Sequence, residues 1–192
     1  MTGGGSAGPW ALVSAVAIGV LSRDRRQRIV VTDDSDLEAL RTIADYQFGA
    51  GAGEALVPPG DPPEVRRTAS GRPNQLIGET GRLATLGRDG RLTLGFAGGR
   101  RLVAALEAPA GRVVVGDESV PYVGDGANAF AKFVVDVDPA IRARDEVLVV
   151  GPSRSDLVGV GRAELSARDM ADFDRGAAVS IREGRSEWAD PA

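Results

Sequence analysis

Residues 122–138, YVGDGANAFAKFVVDVD, combine a glycine-rich turn, one amine and an apolar run. Gly124 and Gly126 have no Cβ atoms, so the main chain there can approach a ligand closely and adopt positive φ angles. Bare amides in such a turn, which also contains Asn128, can donate to phosphate or sugar oxygens. Lys132, the only lysine in the chain, offers one positive charge to a phosphate. The alternative is an ordinary tight turn followed by a solvated lysine at a strand edge.

Composition removes much of the usual catalytic repertoire. The chain has no cysteine and no histidine, which excludes thiol nucleophiles, imidazole bases and zinc sites of the usual Cys and His type. The lack of disulfides fits the cytosol, so we expect a cytoplasmic protein. The net charge is -4, so binding to an anionic partner needs a local basic patch rather than a global field.

Other motifs predict neither a metal nor a cofactor. The glycines of GAGAGEAL, residues 49–56, are not set between a strand and a helix as in dinucleotide sites, and no P-loop lysine follows. Asp136 and Asp138 alternate along a predicted strand, which is typical of carboxylates that face solvent rather than a metal. Asp145 and Glu146 are interpreted as a turn-capping aspartate and a strand-edge glutamate rather than as a catalytic pair.

The first 32 residues are predicted to form a disordered or loosely ordered extension. Its apolar stretch holds about a dozen residues, fewer than the ~20 that a membrane-spanning helix needs. The arginine-rich run at residues 23–28 follows this stretch, whereas a signal peptide has its charges first. We therefore expect no stable membrane association, although a cytoplasmic-facing anchor is the alternative.

Ordered structure is predicted to begin with a helix. Ser35 and Glu38 have the spacing of a capping box, and Gly49 can end the helix in a left-handed conformation. The apolar face is predicted to contain Leu37, Leu40, Ile43 and Ala44. A Gly- and Pro-rich segment follows, interpreted as loop with at most short strands.

Short strands are predicted from residue 75 onward, including the segment GFAGGRRLVAAL. The Asp-Gly pair of RDGR, residues 88–91, lies between alternating apolar runs and predicts a hairpin. Residues 108–111, APAG, are a plausible junction to a second module.

The second module is predicted to be a small, mixed, mostly antiparallel barrel. Its strands are expected in RVVV, AKFVVDV, DEVLVV, DLVGVGRAEL and AAVSIRE, with short helices around residues 124–130 and 166–173. The predicted fold class is α+β, with a small N-terminal α/β domain followed by a barrel.

These segments carry a family resemblance. VGDGANAFAKFV, DEVLVV, LVGVGRAELSARDM and RGAAVSIREG resemble, in order, the PUA domain, an RNA-binding fold. IADYQFGAGAGEAL, SGRPNQ and GRLATLGRDGRLTL resemble the domain that precedes PUA in archaeal tRNA-guanine transglycosylases and archaeosine synthases. The resemblance implies a pre-PUA domain at residues 33–110 and a PUA-like β-barrel at residues 111–187.

The resemblance implies that the barrel binds the acceptor stem and 3′ end of tRNA. It adds Arg162 and Arg182, at positions that the family keeps basic, to Gly124, Gly126, Asn128 and Lys132 as RNA-binding residues. Salt-bridged or solvated strand arginines are the alternative. At Arg144 the sequence departs from the family, which has glycine just before the aspartate, and this predicts either a different turn or an added charge. Arginine pairs at residues 66–67 and 100–101 are more typical of ordinary surface.

No segment resembles the family's catalytic barrel with its paired aspartates and zinc ligands. We therefore expect a non-catalytic RNA-binding protein that assists archaeosine-type tRNA modification with a separate transglycosylase-type catalytic partner. Two alternatives stay open. One is an enzyme that uses carboxylate chemistry in the first domain, and the other is a protein-interaction adaptor with a degenerate PUA surface.

Overall fold

The protein is represented by a computed structural model that describes residues 34–185. The extension predicted for residues 1–32, including its apolar stretch, lies outside the described residues. Residues 34–185 belong to one compact unit, in which helices and a four-stranded sheet precede a nearly closed six-stranded barrel. The predicted α+β class is confirmed. None of the helices in this range is long and apolar enough to cross a membrane.

The first half of the unit contains an antiparallel sheet whose strands lie in chain order. Its strands are β1 Glu64–Arg67, β2 Pro73–Gly78, β3 Gly81–Leu86 and β4 Leu92–Leu94. The turn between β3 and β4 contains the predicted Asp-Gly pair, and Gly90 has a φ of 79°, a conformation that favours glycine. The predicted hairpin is confirmed.

Helix α1, Asp34–Phe48, buries the predicted face through Leu37, Leu40 and Ala44. It ends as predicted at Gly49, whose φ is 106°. The predicted capping box is wrong, because α1 already includes Asp34 and Ser35 therefore occupies a helical position.

Two further helices lie in segments that the sequence does not mark as helical. The first is α2, Ala52–Leu56, which the prediction placed in a loop. A Cβ atom on Gly53 would lie 2.8 Å from the Arg41 Cα, so glycine is needed for α2 to pack on α1. The Gly53 amide also donates to Asp45 Oδ1 at 2.7 Å.

Helix α3, Phe96–Ala105, occupies a segment predicted as strand, and that prediction is wrong. Gly98 and Gly99 lower intrinsic helix propensity, but both are buried against neighbours. A Cβ on Gly98 would overlap the Leu83 carbonyl oxygen of β3, and one on Gly99 would overlap the Val160 side chain of the barrel. The glycines therefore let one helix pack closely on both halves of the unit.

The barrel has the predicted mostly antiparallel architecture, with strand order β6-β10-β9-β8-β5-β7 and one parallel pair, β5 with β8. Its strands are β5 Arg112–Val115, β6 Ala129–Phe130, β7 Val134–Val137, β8 Glu146–Val150, β9 Leu157–Ala163 and β10 Ala177–Gly184. A 3₁₀ turn, Ala131–Phe133, joins β6 to β7.

Two short helices accompany the barrel strands. Helix α5, Ala167–Asp172, is confirmed where predicted, and the Ser166 hydroxyl accepts from the Asp169 amide as its cap. Helix α4 spans Val120–Gly124, so the helix predicted to start at residue 124 in fact ends there. Pro121 lies in its first turn, where a missing amide hydrogen costs nothing.

The two halves share a hydrophobic core. Side chains of the four-stranded sheet and its helices pack in one cluster with five barrel residues, Val114, Leu148, Val150, Leu157 and Val160. A second cluster fills the barrel itself. The shared cluster fixes the barrel relative to the first sheet, because its members cannot separate without exposing apolar surface on both sides.

Polar contacts across the same boundary reinforce this packing. Arg112 on β5 is 3% exposed, and its Nη2 donates to the carbonyls of Val103 and Leu106 at the end of α3. Burial lowers the pKa of Arg112. On the other side, Glu183 of β10 pairs with Arg82 of β3 and accepts from the Phe96 amide at 2.7 Å.

Candidate nucleic-acid interface

Three of the predicted site residues form a turn seated on β10. We call residues 124–128 the edge turn. Gly124 is buried at the end of α4, and a Cβ on Gly184 of β10 would overlap its carbonyl oxygen. Asn128 Oδ1 accepts from the Ile181 amide at 3.1 Å, where the register between β10 and β9 shifts. The edge turn is thus attached to the last residues of β10.

The amides of the edge turn are less available than the sequence predicts. Asp125 N donates to Pro121 O, Gly126 N to Val123 O, and Ala127 N to Tyr122 O, at 2.9–3.0 Å. The expectation that bare amides here bind phosphate is therefore wrong for these three groups. Gly126 has the predicted positive φ, 87°, so glycine is required by the backbone there. The same expectation is wrong for Gly124, which ends helix α4 without a positive φ.

Lys132 lies beside the first residues of β10, because the neighbouring Ala131 amide donates to Gly176 O. The edge turn contacts later residues of that strand. Lys132 follows Asn128 by only four residues in the chain, so the two are at most about 14 Å apart. Lys132 Nζ lies 4.5 Å from the centroid of the Phe133 ring, and its side chain is exposed. Within residues 34–185 it has no carboxylate partner.

Arg162 and Arg182 lie on adjacent strands, and both already bind carboxylates. Arg162 Nη2 is 2.8 Å from Glu164 Oε1, and hydrogen bonding to Glu164 raises the pKa of Arg162. Arg182 donates through Nη1 and Nη2 to the two carboxylate oxygens of Glu146 at 2.8 and 2.9 Å. The Glu146 side chain is only 8% exposed, and it also accepts from the Leu94 amide of β4.

These two arginines open onto a surface pocket that the sequence did not predict. We call it the arginine pocket; its volume is about 510 Å³. It lies between the β3–β4 hairpin and strands β8, β9 and β10, and is lined by Asp89, Arg91, Leu92, Thr93, Arg144, Glu146, Arg162, Glu164 and Arg182. Of these lining residues, only Arg162 and Arg182 were predicted from the sequence to bind RNA. Arg91 comes from a distant hairpin, so no sequence spacing connects it with the others.

The structure therefore brings the six predicted residues into two groups and one outlier. The edge turn holds Gly124, Gly126 and Asn128, and the arginine pocket holds Arg162 and Arg182. Both groups contact the second half of β10. Lys132 stands apart near the beginning of that strand.

Two exposed aromatic side chains flank the edge turn. Tyr122 on α4 is 68% exposed and Phe130 on β6 is 46% exposed. Exposed rings beside a strand edge can stack on unpaired bases. The sequence could have indicated them through the low aromatic content of the chain, 5%, which makes an aromatic pair around one turn uncommon.

Carboxylates that the sequence offered as catalytic or metal-binding alternatives have local partners. Asp136 pairs with Arg154 at 2.8 Å, and Asp138 accepts from the Gly111 and Ala140 amides. Asp145 Oδ2 accepts from the Arg142 amide at 2.9 Å, which confirms its predicted role as a turn cap. Within residues 34–185, no group of three or more acidic side chains is placed to hold a metal ion.

Comparison with known proteins identifies two domains in this chain. Residues 38–109 match the model of the patch-forming domain C2 of tRNA-guanine transglycosylase. Residues 111–185 match the PUA domain. The tRNA-guanine(15) transglycosylases of Pyrococcus abyssi and Pyrococcus furiosus are 42% and 43% identical over 156 and 157 residues. Each alignment covers 81% of this chain but 26% of the relative, so the chain spans about a quarter of the length of these relatives.

Solved structures share the fold at lower identity. A hypothetical protein from Pyrococcus horikoshii superposes with a TM-score of 0.61 at 19% identity, over 82% of this chain and 98% of that one. A conserved PUA domain protein from Thermoplasma acidophilum gives a TM-score of 0.53 at 19% identity, over 80% and 91% of the two chains. This chain therefore contains a transglycosylase C2 domain followed by a PUA domain, and it is homologous to the C-terminal region of archaeal tRNA-guanine(15) transglycosylases.

Proposed function

We propose that this protein binds tRNA near the acceptor stem and 3′ end through its PUA domain and has no catalytic role of its own. The observation that carries the proposal is the presence of a C2 domain and a PUA domain in succession, at over 40% identity to tRNA-guanine(15) transglycosylases. Neither matched domain extends beyond residues 38–185.

Surface chemistry around β10 supports RNA as the ligand. Lys132 is exposed, and its one described electrostatic contact is with an aromatic ring, so its charge can pair with a phosphate. Tyr122 and Phe130 can stack on the unpaired bases of a 3′ end. The edge turn contributes its backbone shape rather than free amides, since the amides of residues 125–127 are hydrogen-bonded within the protein and Gly126 has a positive φ.

Binding is expected to depend steeply on salt. The net charge of -4 means that attraction comes from local contacts, each contributing about 0.7 to 0.9 log units per tenfold change in salt. Lys132→Ala and Arg162→Ala should each weaken tRNA binding and lower the salt slope by about one contact. The measurement is a fluorescence titration of tRNA at several KCl concentrations.

A matched control is available in Arg154→Ala. Arg154 is half-exposed and paired with Asp136 of β7, and it does not line the arginine pocket. Its loss should leave both affinity and slope unchanged. If Lys132→Ala and Arg162→Ala bind like the wild type at every salt concentration, the proposed face is wrong. If the wild type itself binds no tRNA, the adaptor alternative is favoured.

We further propose that the protein assists archaeosine-type modification together with a separate transglycosylase-type catalytic subunit. The support is the homology of this chain to the C-terminal region of tRNA-guanine(15) transglycosylases. The test is mass spectrometry of tRNA from a strain lacking the protein. Reduced archaeosine in that strain is expected, and an unchanged nucleoside profile would contradict the assisting role.

A further inference from the structure

The arginine pocket has one cation that no carboxylate neutralises. Glu146 binds Arg182, Glu164 binds Arg162, and Asp145 binds Arg91 at 3.0 Å. Asp89, the other acidic residue of the lining, accepts from the Arg91 amide in the hairpin turn. Arg144 also lines the pocket, is exposed, and has no carboxylate partner within residues 34–185.

The backbone at Arg144 is unfavourable for any residue that carries a side chain. Its φ is 76°, in the left-handed region where glycine is preferred. The conformation is held by hydrogen bonds on both sides, from the Arg144 amide to Ala163 O at 2.7 Å and from the Ala163 amide to Asp145 O at 2.8 Å. A strained residue that persists without a structural partner is a candidate for a functional one.

A second arginine in the described residues provides the contrast. Arg154 is the other non-glycine residue with positive φ, 61°, and it pairs with Asp136 at 2.8 Å. Its side chain therefore has a structural reason to be present. Arg144 shares the backbone strain but lacks the ion pair, and what distinguishes it is its place in the pocket.

The neighbouring arginines can turn toward a ligand. Arg91 and Arg162 are about half-exposed, with side-chain exposures of 50% and 52%, and their partners Asp145 and Glu164 are also open to solvent. Exposed ion pairs of this kind contribute little stability, so an incoming anion can displace either carboxylate. Arg182 is expected to keep its ion pair, because its partner Glu146 is nearly buried.

We propose that the arginine pocket binds a phosphate of the RNA backbone, with Arg144 supplying the uncompensated charge and Arg91 and Arg162 turning to complete the site. Planar guanidinium groups form paired hydrogen bonds to phosphate oxygens. The volume of about 510 Å³ also admits the adjoining sugar. This inference rests on the proposed tRNA binding and adds a second contact point, between the C2 hairpin and the barrel, to the surface around the edge turn.

The experiment compares Arg144→Gly with Arg154→Gly in the full chain. Both changes relieve the left-handed backbone, so neither should lower the melting temperature through strain. Arg144→Gly should weaken tRNA binding about fivefold to tenfold at 0.1 M salt and reduce the salt slope by about one contact. Arg154→Gly should bind tRNA like the wild type, and Arg144→Lys should retain the wild-type slope because it keeps the charge.

A second probe tests anion binding by the arginine pocket independently of tRNA binding. The full chain is titrated with inorganic pyrophosphate, and the backbone amide signals are followed by NMR. The signals of positions 144, 145 and 163 should shift in the wild type. The signals of the same positions should not shift in Arg144→Gly. If pyrophosphate shifts these signals but the wild type binds no tRNA, the pocket is an anion site and the proposed tRNA function is wrong. Wild-type tRNA affinity and slope in Arg144→Gly, or pyrophosphate shifts that avoid these residues, would overturn the inference.

Discussion

Replacement of Gly98 by alanine is expected to lower the melting temperature by about 5 to 15 °C, equivalent to about 2 to 4 kcal/mol for a domain of this size. Alanine favours a helix by about 1 kcal/mol over glycine, so the same change at a solvent-exposed helix position would stabilise the protein. At Gly98 the new methyl would overlap the Leu83 carbonyl oxygen. A backbone atom within a paired strand cannot move aside, so overpacking outweighs the gain in propensity.

Gly99→Ala provides the graded comparison for this prediction. Its Cβ would meet side chains rather than backbone, namely Val160, and Leu157 Cδ2 at 3.0 Å. The leucine can change rotamer, so we expect a smaller loss of stability than at Gly98. Thermal unfolding followed by circular dichroism measures both variants. Equal or higher stability of Gly98→Ala would show that α3 does not pack on β3 at the distance described.

Replacement of Glu146 by alanine is expected to destabilise the protein by about 2 to 3 kcal/mol. The value is below the 3 to 5 kcal/mol typical for breaking a fully buried pair, because the Arg182 side chain is 35% exposed. The loss removes two hydrogen bonds from Arg182 and one from the Leu94 amide. The last of these hydrogen bonds connects the barrel to strand β4 of the first sheet, so its loss destabilises both halves of the unit.

Glu146→Gln separates the stability of this contact from its effect on binding. Glutamine retains an acceptor for the Leu94 amide, so we expect about half the loss of stability seen with alanine. It also removes a negative charge from the arginine pocket and leaves Arg182 without a counter-charge. Affinity for tRNA should therefore rise several-fold while thermal stability falls. Unchanged or weaker tRNA binding by a folded Glu146→Gln protein would argue against phosphate contact in the pocket.

Local signals explain which parts of the fold could be predicted from the sequence. The Asp-Gly hairpin and helix α5 depend on residues a few positions apart, and both are present as predicted. Helix α3 was predicted as strand, and Gly98 and Gly99 give its segment poor intrinsic helix propensity. The reason for glycine there lies in Leu83 and Val160, which are distant in sequence, so propensity alone could not reveal it.

The candidate site shows the same division. Glycines with positive φ can be expected from a turn motif, and Gly126 adopts that conformation. The partner of Arg182 depends on strand register, because Glu146 of β8 lies opposite Arg162 of β9, and Arg162 in turn lies opposite Ser180 of β10. A carboxylate 36 positions away from Arg182 gives no signal in the sequence. The role of Arg91 likewise becomes apparent only once the hairpin lies against the barrel.

The shared core has a consequence for how these two domains can be inherited. If the barrel were separated at Gly111, it would carry Leu148, Val150, Leu157 and Val160 on an open face, since these side chains are buried against the helices and sheet of the other half. An apolar strip of this kind promotes aggregation. Recombination that moved the barrel alone into another gene is expected to give an insoluble product. The C2 and PUA domains are therefore expected to be transferred, duplicated or lost together.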